Sequence, residues 1–352
     1  MKRAFKIAPL VLVISLLPST GHAPTPRIRA LAPVEHLAAG SEKPVGVVVD
    51  EASGMIFVSD RREGTVTRVA PEGAKRLILR RLKKPVGLAL DGEGRLLIVE
   101  EGRGRLLRRE LSGLTVLASG MRSPRWIAVA PEDGVVYLTA HGLRADHRDD
   151  EEDEDAEEHR RGEAILRLGA HGALTVFADG FKGLEGLAVR GGAVYAVTER
   201  LLGERERQGT TLVRIPIEPD GDAGRLEVLV RGDVRDPVGL ALDRLGAVFF
   251  TAERRREEDH RDDRGLILKW LPDGRLVTFA TGLKDPRGLA FDAAGHLLIA
   301  DRDNNRVRRI DATTGVITTV VGSGIATGSI DGPAGDPRDD LGAGGPALTG
   351  SL

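Results

Sequence analysis

Apolar residues in this chain fall in short runs of three or four, not at helical spacing. Gly- and Asp-containing turns punctuate the runs, as around Val47-Val-Val49, Met55-Ile-Phe-Val58, Leu88-Ala-Leu90 and Leu297-Leu-Ile299. An amphipathic helix needs apolar positions at i, i+3, i+4 and i+7, and it tolerates few glycines. Runs this short, rich in Val, Ile, Leu and Phe and bounded by Gly and Asp, predict β-strands. The pattern also repeats. Six segments open with Pro-x-Gly or a variant of it: Pro44-Val-Gly46, Pro85-Val-Gly87, Pro124-Arg-Trp126, Leu184-Glu-Gly186, Pro237-Val-Gly239 and Pro286-Arg-Gly288. Each leads into an apolar run, a Gly-containing turn, a second run, a more polar third run carrying arginines, and a fourth. Four short strands recurring roughly every 40 to 60 residues predict a blade of a β-propeller. A lone blade cannot bury both faces of its sheet, so neighbours must stack on it, and a ring leaves no end exposed.

The expected fold is therefore all-β: a six-bladed β-propeller of four-stranded antiparallel blades over residues 24–325. Residues 28–36 read as a strand lying ahead of the first Pro-x-Gly, and Thr318-Thr-Val-Val321 as a fourth strand in the last unit. Of the two, the N-terminal strand is expected to close the ring. A Gly-, Asp- and Pro-rich tail fills residues 326–352, and Gly344-Gly-Pro-Ala-Leu348 within it is similar to the linker that precedes a further blade.

Composition narrows the chemistry. There is no Cys among 352 residues, which excludes disulfides, thiolate metal sites and a Cys nucleophile. Aromatics are only 3%, too few for a sugar- or base-stacking platform, and the net charge of −2 supplies no field to hold nucleic acid. Residues 1–23 read as an export signal. Lys2, Arg3 and Lys6 precede an apolar run over 7–17, and Gly21-His22-Ala23 offers small residues at a cleavage site. That run is well short of the roughly 20 residues a spanning helix needs. The expectation is an exported periplasmic or extracellular protein without a stable membrane anchor, and a monomer.

Pro286-Arg-Gly-Leu-Ala-Phe-Asp292, Gly295-His-Leu-Leu-Ile-Ala-Asp301 and Asn304-Asn-Arg-Val-Arg-Arg-Ile310 closely resemble the NHL repeat, a propeller blade. The other five units resemble it more loosely. The resemblance implies the fold and leaves function open, since such blades serve binding proteins and enzymes alike.

The units differ in a way that bears on function. Six residues after the turn glycine, units 1, 2 and 6 place an acid: Asp60, Glu100 and Asp301. Units 3, 4 and 5 place Ala140, Thr198 and Ala252 there, with His141, Glu199 and Glu253 one step later. One step along a strand turns a side chain to the opposite face. The same three units carry long inserts between their second and third strands. Successive strands run antiparallel, so the Pro-x-Gly turns, the ends of the second strands and the inserts share one end of the ring, the mouth of its channel.

The middle residues of the six turns are Val45, Val86, Arg125, Glu185, Val238 and Arg287. Arg125 and Arg287 can bind a carboxylate or phosphate with Glu185 fixing one of them, or the three can form a structural ion pair that plugs the channel. His141, Glu199 and Glu253, if they converge, offer a divalent cation one imidazole and two carboxylates. The insert over residues 144–163 holds eleven acids against four arginines, and Asp-His-Arg-Asp-Asp occurs at 146–150 and again at 259–263. It reads as a solvated loop, a loose cation site or a charged lid. Glu204-Arg-Glu-Arg207 is a lesser insert of mixed sign.

Six-bladed enzymes with related architecture imply two chemistries. Gluconolactonases and the senescence-marker-protein family hold one divalent cation at the mouth. Glu42, in Glu42-Lys-Pro-Val45, resembles their first ligand and Glu185 can replace a second, whereas Val238 stands where an Asp is expected. Ca2+ or Zn2+ is the cofactor this implies. Quinoprotein sugar dehydrogenases need a His base and basic clamps, and His141, Arg125 and Arg287 can imitate that set. The leading expectation is a binding or scaffold module for a protein or small anionic ligand, acting through the face that carries the inserts. A metal-dependent lactonase or hydrolase is the alternative.

Overall fold

The computed structural model describes residues 43–143, 162–204, 210–232, 234–255 and 265–322. The export signal, the strand expected over 28–36, Glu42, both Asp-His-Arg-Asp-Asp strings and the tail from 326 lie outside these. The described strands form four antiparallel sheets of four strands, one of seven and one of two. Unit 1 comprises Pro44–Asp50, Met55–Asp60, Thr65–Val69 and Lys75–Leu79. Unit 2 comprises Pro85–Leu90, Leu96–Glu100, Arg105–Glu110 and Gly113–Ala118. Unit 3 opens with Ile127–Val129, Val136–Ala140 and Glu163–Leu168, and unit 4 closes with Ala193–Leu201, Thr210–Pro216 and Glu227–Arg231. Units 3 and 4 share the 17-residue strand Leu174–Arg190. Unit 5 comprises Leu240–Leu242, Val248–Ala252, Leu266–Trp270 and Leu276–Ala280. Unit 6 comprises Pro286–Phe291, Leu297–Asp301, Arg306–Ile310 and Ile317–Val321.

The shared strand departs from the expectation of separate four-stranded sheets: units 3 and 4 form one sheet of seven strands. The cause is local. Unit 4 has Leu184 where the other five units have Pro. Proline lacks the N–H a ladder needs and so ends a strand. Leu184 keeps its N–H, donates it to the Glu163 carboxylate, and the strand runs on.

The first strands meet in sequence around the molecule. Pro44–Asp50 packs on Pro85–Leu90, that on Ile127–Val129, then come Leu174–Arg190, Leu240–Leu242 and Pro286–Phe291, which returns to Pro44–Asp50. Glycine permits this approach. A Cβ on Gly239 would lie 2.0 Å from the Arg287 carbonyl oxygen, and one on Gly288 would lie 2.7 Å from that of Val45. The second contact joins the last unit to the first. The fourth-strand place of unit 6 is held by Ile317–Val321, paired with Arg306–Ile310, so closure by an N-terminal strand is corrected. The chain is a β-propeller.

Alternation explains the core. In the second strand of unit 2, Leu97 and Val99 join the apolar cluster shared with unit 3, while Leu96 and Ile98 join the one shared with unit 1. In unit 6, Leu297 and Ile299 face unit 5 and Leu298 faces unit 1. Both faces are covered, so these strands read as continuous apolar runs instead of alternating ones.

Candidate functional site

The acids predicted to end the second strands are structural. Asp60, Glu100 and Asp301 are almost fully buried. Asp60 accepts the backbone N–H groups of Lys43, Arg62 and Glu63, each at 2.9 Å. Glu100 accepts the Lys83 N–H at 2.6 Å and pairs with Arg103 and Arg105. Asp301 accepts the Lys284 N–H at 2.8 Å and the Asn304 side chain at 2.8 Å. Each thus ties the end of a second strand to the chain leading into its own Pro-x-Gly.

The residue after each buried acid turns the other way, as strand period requires. Arg61, Glu101 and Arg302 line a cavity of about 280 Å3 together with Arg125, Glu185 and Arg287. Val45, Val86 and Trp126 complete its wall. Five of the six middle residues of the Pro-x-Gly turns therefore meet at one place. The sixth, Val238, is buried in the apolar cluster that also holds Val45, Val86 and Trp126.

Charges around the cavity are tied in pairs. Arg61 donates to Glu101 through Nε at 2.7 Å and Nη2 at 3.0 Å. Burial by itself would raise the Glu101 carboxyl, but Arg61, together with the charges of Arg125 and Lys84, outweighs it and leaves the group below the usual carboxylate range. Glu185 accepts from Arg125 and, at 2.8 Å, from Trp126 Nε1. Burial dominates there and pushes the Glu185 carboxyl up, against the pull of Arg125, the Trp126 hydrogen bond and Arg287. Arg287 Nη2 lies 2.6 Å from Asp285 Oδ1, and Arg302 pairs with the other oxygen of Asp285.

A second group of acids gathers beside Glu185 on the insert-bearing side. Glu163 accepts the Leu184 N–H and lies 3.0 Å from His141 Nε2. The Glu199 side chain passes over Gly183, where a Cβ would meet its Cγ at 2.5 Å. Burial first, then the charges of Asp236, Glu163 and Glu185, raise the Glu199 carboxyl. His141, Glu199 and Glu253 do not form a cation cage: among the described residues no three His, Asp or Glu side chains are placed to hold a metal. His141 is not among the residues lining the cavity, so the quinone-clamping set of His141, Arg125 and Arg287 is not brought together there.

The cation of lactonase-type propellers does not fit the described residues of this mouth. Among the middle positions only Glu185 offers a side-chain oxygen, and its two oxygens are engaged by Arg125 and Trp126. Glu42 lies outside the described residues. Sequence reading missed Arg61, Glu101, Arg302, Trp126, Glu163 and Asp285. A signal for the first three was present. The seventh residue after the turn glycine is polar in all six units: Arg61, Glu101, His141, Glu199, Glu253 and Arg302.

Residues 283–310 match the NHL repeat family. No curated protein matches the chain. Among solved structures it is similar to a gluconolactonase of Xanthomonas campestris, with 20% identity, 74% of this chain and 83% of that one covered, and a TM-score of 0.57. It is similar to the calcium-binding protein regucalcin of Agrobacterium tumefaciens, with 18% identity, coverage of 74% and 82%, and a TM-score of 0.52. A virginiamycin B lyase of Staphylococcus aureus shares 14% identity over 79% of this chain and 84% of that one, with a TM-score of 0.50. At these identities the likeness is one of fold.

Proposed function

We propose that this chain is an exported, monomeric, six-bladed propeller that binds a small anionic ligand at its channel mouth without a metal ion. The observation that carries this is the cavity ringed by Arg61, Arg125, Arg287 and Arg302. Guanidinium groups present planar forks of donors suited to carboxylate or phosphate. A volume of about 280 Å3 lies near the lower end of the roughly 300–1,000 Å3 typical of small-molecule pockets. The ligand is accordingly small. Export rests on residues 1–23, and N-terminal sequencing of secreted protein should begin at Pro24.

Calorimetric titration of the full chain with acetate, hexanoate, benzoate and inorganic phosphate tests the reading. Saturable 1:1 binding of at least one anion is expected, unaffected by a chelator and lost in the Arg125→Gln/Arg287→Gln double variant. Failure of every anion to bind sinks the proposal.

A second reading, a divalent-metal-dependent lactonase, is favoured by the fold likeness to gluconolactonase. It requires Glu42 and Glu185 to serve as ligands, with Glu185 giving up Arg125. Stoichiometric metal in the purified protein, together with lactone hydrolysis that a chelator abolishes, would establish it in place of the first.

A further inference from the structure

We infer that the ligand of this mouth is an organic monocarboxylate, its carboxylate on Arg287 and its apolar body over Val45, Val86 and Trp126. The inference rests on the anion-binding reading above and narrows it to a chemical class.

Ion pairing argues against a doubly charged ligand. The four guanidinium groups around the cavity are tied to the carboxylates of Glu101, Glu185 and Asp285, with Asp285 serving both Arg287 and Arg302, and Glu163 adds its negative charge beside Glu185. A monoanion is repelled less there than a phosphate dianion.

Hydrogen bonding argues for Arg287 as the anchor. Asp285 holds its Nη2 on one side, and the side chain, 27% exposed, lines the cavity. Its Nε is closed off from solvent and is not the contact. A carboxylate suits the planar guanidinium edge that is left to the cavity.

The wall argues for a hydrocarbon body. Val45, Val86 and Trp126 line the cavity, and with Val238 they belong to one continuous apolar cluster. Hydrocarbon laid on that surface leaves water and gains affinity in proportion to its area. An inorganic oxyanion gains nothing there.

The test is a chain-length series titrated into the full chain: acetate, butanoate and hexanoate, with inorganic phosphate and hexanol as controls. Affinity should rise roughly tenfold for each two methylenes added. Phosphate should bind no better than acetate, and hexanol should not bind. Arg287→Lys keeps the charge but loses the planar guanidinium fork, and should weaken hexanoate at least tenfold. A thermal melt checks that this variant is folded, and the series on the unaltered protein decides the matter if it is not. Acetate or phosphate binding as tightly as hexanoate overturns the inference and leaves the anion site standing. No saturable binding by any anion overturns both.

Discussion

Thr251 shows how much one hydroxyl holds in this ring. Its Oγ1 accepts the Gly239 N–H at 2.7 Å and donates to the Arg287 carbonyl of the next unit at 3.1 Å. Ser59 does the same between Gly46, at 2.9 Å, and Val86, at 2.6 Å. Both side chains are fully buried. Thr251→Val keeps the shape and strands two backbone groups, so urea denaturation should show a loss of about 1–3 kcal/mol. Gly239→Ala sets a methyl 2.0 Å from the Arg287 oxygen. Overpacking of this kind costs about 1–3 kcal/mol, and it should also displace Arg287 and weaken anion binding. The glycine of each Pro-x-Gly was visible in the sequence. The carbonyl that forbids a side chain there was not, because it belongs to the next unit, about 40 to 50 positions further along the chain or, for Gly288, back at Val45 of the first unit.

Among the elements, the joint between units 3 and 4 is the exception that explains the rule. Five turns that open with proline break the chain between blades, and the Leu184 substitution lets one strand serve two. Leu184→Pro should restore the break at the expense of the bond to Glu163 and the packing of a buried leucine. A drop of about 3 kcal/mol in unfolding free energy is the expected outcome, and a stability equal to the parent would show that the N–H of Leu184 matters little. The strand count and the repeat were readable from apolar runs and turns. The sevenfold sheet was hinted at only by the missing proline.

At the scale of the whole molecule, the mouth couples folding and binding to pH through Glu185. Its carboxyl is raised above its ordinary value by burial. The folded protein therefore holds a proton there that the unfolded chain has already released. That contribution to stability is fully present below the unfolded value near 4.5 and is lost as pH rises through the raised one. Denaturation of the parent and of Glu185→Gln across pH 4 to 7 should show the parent's relative stability falling as pH rises. Protonation also removes the carboxylate that occupies Arg125, so affinity per ionised hexanoate should rise as pH falls through the raised Glu185 titration, and this trend should vanish in Glu185→Gln. By itself the sequence determined the repeat, the strands and the polar positions at their ends, because local periodicity and turn chemistry act over a few residues. Only the tertiary structure decided which charges meet: Arg125 with Glu185, Arg61 with Glu101, and Asp285 with both Arg287 and Arg302. Except where Asp285 reaches its near neighbours, these partners lie tens of residues apart, and closing the ring is what brings them to one hub.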